Sequence, residues 1–285
     1  MKAVALGGGH GTAVTLRALR SLTSELTAIV SVADDGGSSG RLREQLNVAA
    51  VGDIRKCLVA LAARDNALAA HLEHRFSAGE LEGHALGNLL LAGLIDATGD
   101  LQSSINAVAE VLGVSGTVLA ASDGAVTLVA RTSNGRTAGQ SEVAQSLSIR
   151  HVATEPASVR APQSALDAIC HGDLVVIGPG SLYTSVLAAC VVPGIAEALA
   201  ATPARVILIA NLQEQRPETS GYSLADHLSA LERHGVRFDA VVHSTNSLLR
   251  RGTPNHRIID VDVTGKNPQV HDELKLARCL ADLVA

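Results

Sequence analysis

The chain has 285 residues, of which 47% are hydrophobic, and a formal net charge of −5 at pH 7. This length and composition exclude a mainly disordered protein, because there are enough apolar side chains to bury a large core. Aromatic residues make up only 1% of the chain and Trp is absent, so neither base stacking nor a basic nucleic-acid surface is supported, and we expect no nucleic-acid partner.

Short apolar runs alternate with helix-length stretches along most of the chain. We predict buried strands at residues 3–6, 26–32, 174–177, 206–210 and 240–242, and helices at 13–22, 54–63, 85–97, 163–169, 194–201 and 224–234. Such helices supply the crossovers that neighbouring parallel strands need. The predicted fold class is therefore α/β, with a doubly wound, mostly parallel sheet.

The middle of the chain departs from this alternation. Apolar runs at residues 117–120, 126–130 and 149–152 are separated by Gly and Asn turns. This pattern predicts a small antiparallel excursion near residues 114–152. We expect the excursion to belong to one α/β domain that spans residues 1–285.

The segment Asp34–Arg43 directly follows the strand predicted at residues 26–32. It brings two carboxylates, two hydroxyls and two guanidiniums into ten residues. Such a segment is unsuited to a core, but it offers acceptors for a metal ion or a hydroxyl, and amides, hydroxyls and cations for phosphate. We predict a functional site here, with Ser38, Ser39 and Arg41 as ligand contacts.

Two glycine-rich loops each follow a predicted strand and precede an apolar helix. A helix N-terminus after such a loop favours anions, and loops after different parallel strands converge where the strand order reverses. The first loop matches neither the dinucleotide nor the Walker fingerprint, and a tight turn for close packing is the alternative. The candidate phosphate contacts are Gly8, Gly9, His10, Gly11, Thr12, Gly178, Gly180, Ser181, Thr184 and Ser185, with Asn211 after the strand at 206–210.

Polar side chains also stand at the starts of two other helices. His84 and Asn88 are four residues apart, so we expect them on one helix face, where they contact a ligand or cap the helix. Asp53 is suited to an N-cap position, with a ligand contact as the alternative, while Arg55 is free to reach a phosphate. The other histidines lack the spacing of metal ligands.

Five segments, in this order, resemble motifs of the gluconeogenesis-factor (YvcK-like) branch of the CofD-like, or 2-phospho-L-lactate transferase-like, proteins. They are Gly7–Gly11, Val32–Arg43, Gly52–Arg55, Gly83–Leu90 and Ile177–Ser185. The resemblance implies a Rossmann-like fold that is commonly dimeric. The chain departs from the branch at Pro217, where a Gly is usual, and at His243, where an Asn is usual.

The resemblance also implies a function. The branch is associated with binding of UDP-sugars, notably UDP-N-acetylglucosamine, and with gluconeogenic growth, cell shape and cell-wall synthesis, without an assigned reaction. Residues 7–11 and 178–185 would then hold the diphosphate, with Arg41 and Arg55 as charge partners. Asp34 would contact the sugar or a hydrated metal ion.

The transferase branch of the same family implies an alternative. In it, the chain would be a metal-dependent transferase that uses a nucleotide-diphosphate-activated donor, with Asp34 and Asp35 positioning Mg²⁺. We expect the regulatory binding protein instead, with no catalytic residue and no cofactor assigned.

The sequence favours a cytoplasmic location. The apolar run after Met1 is too short for a signal peptide, and no run approaches the length of a membrane span. The four cysteines, which lie far apart among aliphatic residues, are typical of reduced core residues; they are Cys57, Cys170, Cys190 and Cys279. We therefore expect a cytoplasmic protein that does not insert into membranes, and the family resemblance implies that it is a homodimer.

Overall fold

A computed structural model describes residues 1–284 and has a seven-stranded parallel sheet at its centre. The strands, in chain order, are β1 (Ala3–Gly7), β2 (Leu26–Val30), β3 (Thr117–Ala120), β4 (Thr127–Thr132), β5 (Gly135–Ala138), β6 (Ile149–Glu155), β7 (Leu174–Ile177), β8 (Arg205–Ile209), β9 (Ala240–His243) and β10 (Ile258–Asp260). The central sheet has the order β10-β9-β8-β7-β1-β2-β3, and each neighbouring pair is parallel. The predicted fold class is confirmed.

Helices cover the central sheet, as the crossovers between parallel strands require. In chain order they are α1 (Gly9–Leu19), α2 (Gly37–Leu46), α3 (Gly52–Leu61), α4 (Ala67–His71), α5 (Leu86–Thr98), α6 (Leu101–Leu112), α7 (Gln140–Ala144), α8 (Gln163–Cys170), α9 (Ala188–Cys190), α10 (Ile195–Ala201), α11 (Leu224–Arg233) and α12 (Glu273–Val284). A π-helical turn, Leu182–Leu187, leads into α9. Strands β1 and β7 are buried along their whole length, which explains their continuous apolar sequences.

The antiparallel excursion is present, but one of its predicted strands lies elsewhere. Strands β4, β5 and β6 form a three-stranded antiparallel sheet in the order β5-β4-β6. Strand β3, in contrast, pairs in parallel with β2 at the edge of the central sheet. Its last three residues are buried, and a short apolar run of this kind does not reveal which sheet will receive it.

Helix α2 was not expected in the glycine-rich segment at residues 34–43. It begins at Gly37, and the side chains of Ser38 and Ser39 are buried in its first turn. A Cβ atom on Gly40 would overlap the carbonyl oxygen of Asp35. The glycine therefore permits a close approach of the helix to the preceding loop.

The strand order reverses between β1 and β7. From β1 the chain proceeds through β2 to β3 on one side, and from β7 through β8 and β9 to β10 on the other. The two glycine loops follow these two central strands. The first loop and helix α1 contact the second loop, because Thr15 Oγ1 in α1 donates a hydrogen bond to the Gly178 carbonyl at 2.8 Å and a Cβ on Gly11 would overlap the Pro179 carbonyl oxygen.

No single helix between residues 1 and 284 is long and apolar enough to cross a membrane. The bent pair Leu182–Cys190 and Ile195–Ala201 meets the criteria of length and composition only when its two helices are taken together.

The contact between the two glycine loops can be tested with a pair of alanine substitutions. We expect Gly11→Ala to lower the free energy of unfolding by about 2 kcal/mol, because the new methyl group overlaps the Pro179 carbonyl. Gly93 lies in helix α5, and a Cβ atom placed on it meets open space. Gly93→Ala should therefore raise the free energy of unfolding by about 0.5–1 kcal/mol. Urea denaturation measures both; equal effects of the two substitutions would contradict the close approach.

Candidate functional site

The N-terminus of α1 opens onto the carboxyl edge of the sheet. Gly8 is its N-cap residue and, having no side chain, makes no capping hydrogen bond to the first turn. A Cβ on Gly8 would lie 2.6 Å from Asp53 Oδ2, so glycine is needed for the loop to pass this carboxylate. The first amides of α1, at Gly9 and Gly11, and the exposed His10 are therefore available at the crevice.

Asn211 holds the second glycine loop in shape. Gly180 N donates to Asn211 Oδ1 at 3.1 Å, and Asn211 Nδ2 donates to the Gly180 carbonyl at 2.8 Å. Ser185 lies between the two loops, since its Cβ is 3.2 Å from a Cβ placed on Gly180 and 3.8 Å from one placed on Gly8. The structure thus brings Asn211 to the second loop, where it orients the backbone.

Three predicted contacts are already engaged within the protein. Thr12 is buried and its Oγ1 donates to the Gly8 carbonyl at 3.2 Å. Thr184 is also buried and its Oγ1 donates to Glu218 Oε2 at 2.9 Å. Asp53 is not the N-cap of α3, which is Val51; its Oδ1 instead accepts a hydrogen bond from Lys56 Nζ at 2.9 Å.

Glu218 is a site residue that the sequence analysis missed. Its side chain is only 3% exposed. Oε2 accepts a hydrogen bond from Thr184 Oγ1 at 2.9 Å, whereas Oε1 is buried without a hydrogen-bond partner among the described residues. Burial raises the pKa of Glu218 to about 7. The loop that the sequence assigned to phosphate is therefore bonded, through Thr184, to a carboxyl group of the protein itself.

Ser38, His84 and Asn88 form a buried polar cluster beside the first turn of α2. His84 Nδ1 lies 3.1 Å from Ser38 Oγ, and Asn88 Nδ2 donates to the same oxygen at 3.0 Å. His84 precedes α5 and Asn88 lies in its first turn, so the two side chains meet at Ser38 without both being on the helix. Neither side chain caps α5; the amide of its N-cap residue, Ala85, donates to Ser38 Oγ at 3.4 Å. Burial lowers the pKa of His84, and the nearby Arg41 adds to this effect.

The two candidate arginines differ in their surroundings. Arg55 is 2% exposed, and it forms hydrogen bonds to Glu73 Oε2 at 3.1 Å and to Asn88 Oδ1 at 2.7 Å. The expectation that Arg55 is free to reach a phosphate is therefore wrong. Arg41 is half-buried and donates to the neutral carbonyl of Glu82 at 2.6 Å, so its charge is available to an anionic ligand. Lys56, three residues after Asp53, is a second cation that the sequence analysis overlooked.

The adjacent carboxylates of Asp34 and Asp35 have separate roles. Asp35 accepts hydrogen bonds from the backbone amides of Gln140 and Ser141, each at 2.8 Å, and so caps α7 from another part of the chain. Asp34 Oδ1 accepts a hydrogen bond from Gly36 N at 3.0 Å. Burial raises the pKa of Asp34, while the Gly36 amide and the Ser39 hydroxyl oppose this shift.

These roles do not fit Mg²⁺ held jointly by Asp34 and Asp35. Both oxygens of Asp35 are engaged by α7. Among the described residues, no group of three or more His, Cys, Asp or Glu side chains is arranged to hold a metal ion. We therefore derive no chemical step through a metal ion.

Comparison with known proteins identifies the family. A protein-family model described as 2-phospho-L-lactate transferase CofD matches residues 3–281. The chain belongs to the CofD family. Within this family it is 44% identical to the gluconeogenesis factor of Halalkalibacterium halodurans, over 84% of this chain and 76% of that protein. It is 42% identical to the gluconeogenesis factor of Bacillus subtilis, over 99% of this chain and 98% of that protein.

A solved structure supports the same assignment. The CofD-family chain matches the crystal structure of a UPF0052-family protein from Bacillus halodurans with a TM-score of 0.90 and 35% identity, over 98% of both chains. The resemblance to the gluconeogenesis-factor branch and the Rossmann-like fold are thus confirmed. The chain spans 54% and 57% of the length of two other curated relatives.

The different roles of the two adjacent aspartates in this CofD-family protein predict different effects on stability. We expect Asp35→Ala to lower the free energy of unfolding by about 1–2 kcal/mol, because α7 loses its cap. Asp34→Asn should leave the stability unchanged or raise it, since burial disfavours the charged form of Asp34. Urea denaturation at pH 7 compares them, and a larger loss for Asp34→Asn would contradict these roles.

The raised pKa of Glu218 predicts that the stability of the protein depends on pH. The folded-state pKa of Glu218, about 7, lies above the ordinary value of 4.5, so the folded protein binds the proton more tightly than the unfolded chain. The contribution of Glu218 to stability is therefore fully present below pH 4.5 and is lost as the pH rises through about 7.

Between pH 5 and pH 8, we expect the free energy of unfolding of the wild type to fall by roughly 2–3 kcal/mol more than that of Glu218→Gln. Urea denaturation of both proteins at several pH values measures the difference. Parallel pH profiles for the two proteins would show that Glu218 titrates normally.

Proposed function

We propose that this CofD-family protein is a regulatory protein that binds a nucleotide sugar of the UDP-N-acetylglucosamine type. In this proposal, the ligand reports on carbon metabolism, and the protein links that signal to cell shape and cell-wall synthesis. The gluconeogenesis-factor names of relatives at 42% and 44% identity support the metabolic part. The choice of ligand draws on the resemblance of the sequence motifs and on the geometry of the crevice.

The observation that carries the proposal is the convergence of three helix N-termini at the point where the strand order reverses. Helices α1, α2 and α3 begin at Gly9, Gly37 and Gly52, and the N-cap residue of each makes no capping hydrogen bond through a side chain. A Cβ on Gly52 would lie 2.6 Å from Ser39 Oγ, in the first turn of α2. Helix N-termini with free amides attract anions, and a diphosphate carries enough charge to use several of them.

The surrounding side chains suit a diphosphate ligand with a sugar attached. Arg41 supplies a cation whose partner is a neutral carbonyl. Asp34 and the cluster of Ser38, His84 and Asn88 supply acceptors and donors for sugar hydroxyls on the β2 side of the crevice. Arg55 acts indirectly, because it holds the carboxamide of Asn88 in place.

A transferase of the 2-phospho-L-lactate type is the second candidate, favoured by the description of the matching family model. It would use the same crevice and a donor activated by a nucleotide diphosphate. The capping role of Asp35 weighs against it, because a pair of carboxylates is no longer available to hold a metal ion. A cytoplasmic homodimer is part of our proposal for the binding protein, on the strength of the resemblance.

Calorimetric titration separates the two candidates. The purified protein is titrated with UDP-N-acetylglucosamine and with GDP, with and without Mg²⁺, and the ligands are then analysed by mass spectrometry. We expect UDP-N-acetylglucosamine to bind and to remain intact. Selective binding of GDP would overturn the proposal in favour of the transferase. Conversion of either ligand only when Mg²⁺ is present would do the same.

Substitutions at the crevice test where the diphosphate lies. We expect Ser181→Ala and Arg41→Gln to weaken binding of UDP-N-acetylglucosamine by about 5- to 10-fold, because each removes one hydrogen-bond donor, charged in the case of Arg41. Ser133→Ala and Arg64→Gln, at exposed positions outside the crevice, are the matched controls. Unchanged affinity in both crevice variants, with normal circular dichroism spectra, would contradict this location.

A further inference from the structure

A cavity of about 160 Å³ lies beside the two glycine loops, on the β8 side of the crevice. Its walls come from the first turn of α1, the loop around Pro179, the segment that follows β8 and the segment that precedes α12. The cavity is larger than a water site and smaller than a typical pocket for a whole ligand. It therefore has room for one part of a nucleotide sugar.

Four carboxamide side chains line this cavity: those of Asn211, Gln213, Gln215 and Gln269. Asn211 Nδ2 donates to Gln215 Oε1 at 2.9 Å, so the amide nitrogen of Gln215 is the donor that remains for a ligand. Asn211 also orients the second glycine loop. One side chain thus links the shape of the loop to the orientation of a cavity residue.

His271 adds a buried acceptor to the cavity wall. Its side chain is 8% exposed, and its Nε2 lies 3.1 Å from the carbonyl oxygen of Ala210. A carbonyl oxygen can only accept a hydrogen bond, so Nε2 carries the proton and Nδ1 keeps a lone pair. Burial lowers the pKa of His271 to about 4, and the imidazole is therefore neutral at pH 7.

This set of groups matches the hydrogen-bonding edge of uracil. Uracil presents two carbonyl oxygens with the N3–H donor between them, which carboxamide N–H groups and a neutral imidazole nitrogen can satisfy. Cytosine places an acceptor at N3, where it would meet the His271 lone pair. Guanine presents N1–H and N2–H donors, which suit a carboxylate, and no Asp or Glu among the described residues lines this cavity.

We propose that this cavity is the base-binding subsite, and that it selects uracil through donors from Gln213, Gln215 and Gln269 and an acceptor at His271 Nδ1. The inference rests on the proposed function, since it assigns the nucleoside end of the same ligand. It also explains how a chain with 1% aromatic residues binds a base, because recognition at the ring edge replaces stacking on a ring face.

The ligand-side test uses UDP, N3-methyl-UDP, CDP and GDP in calorimetric titrations of the wild-type protein. We expect UDP to bind at least about tenfold more tightly than each of the other three, because each lacks a matched donor or acceptor. Equal affinities for the four diphosphates, or a preference for GDP, would overturn the base subsite while leaving the diphosphate site intact. Failure of all four to bind would overturn both the subsite and the proposed function.

The protein-side test uses Gln213→Leu and Gln269→Leu, with Gln45→Leu at an exposed position of α2 as the matched control. We expect each cavity variant to weaken UDP binding by about 5- to 10-fold. Binding of inorganic pyrophosphate should stay unchanged, because it has no base. An unchanged affinity for UDP in both cavity variants would overturn the subsite, as would an equal loss of UDP and pyrophosphate binding.

Discussion

The close contact between the loops that follow β1 and β7 is the constraint on which the site depends. A parallel sheet that grows in both directions from its centre leaves a crevice between these two strands. Here the crevice is narrow, since Gly11 has no room for a side chain against Pro179 and Gly8 has none against Asp53. The glycines are therefore needed for packing as well as for exposure of backbone amides.

Backbone amides at helix starts are abundant around this crevice, and Asp35 of the protein itself satisfies those of α7. Glu218 accepts a hydrogen bond from the Thr184 hydroxyl in the π-helical turn. Both contacts join segments that are distant in sequence, so they hold the loops around the crevice in one arrangement. The N-cap residues of helices α1, α2 and α3 make no capping hydrogen bonds through side chains, so the first amides of these helices can act on a ligand.

Periodicity and glycine placement made most of the fold predictable. The strand at residues 174–177 and the helix at 163–169 were found almost to the residue, because their apolar patterns agree with their burial. Strand β3 was assigned to the wrong sheet, since the partner of a short apolar strand is chosen by packing across the whole molecule. Helix α2 was missed, because Gly37 and Gly40 in its first turns conceal a helix that tertiary contacts stabilise.

The sequence by itself determined the α/β class, the family motifs and the two glycine loops, because these depend on local composition and on the spacing of residues along the chain. Only the tertiary structure decided which polar side chains are available to a ligand. Arg55, Thr184 and Asp35 each have a chemistry that suits a ligand, yet each is engaged by a partner at least 18 residues away in sequence. Local sequence cannot reveal such pairing, because folding alone brings those partners within hydrogen-bond distance.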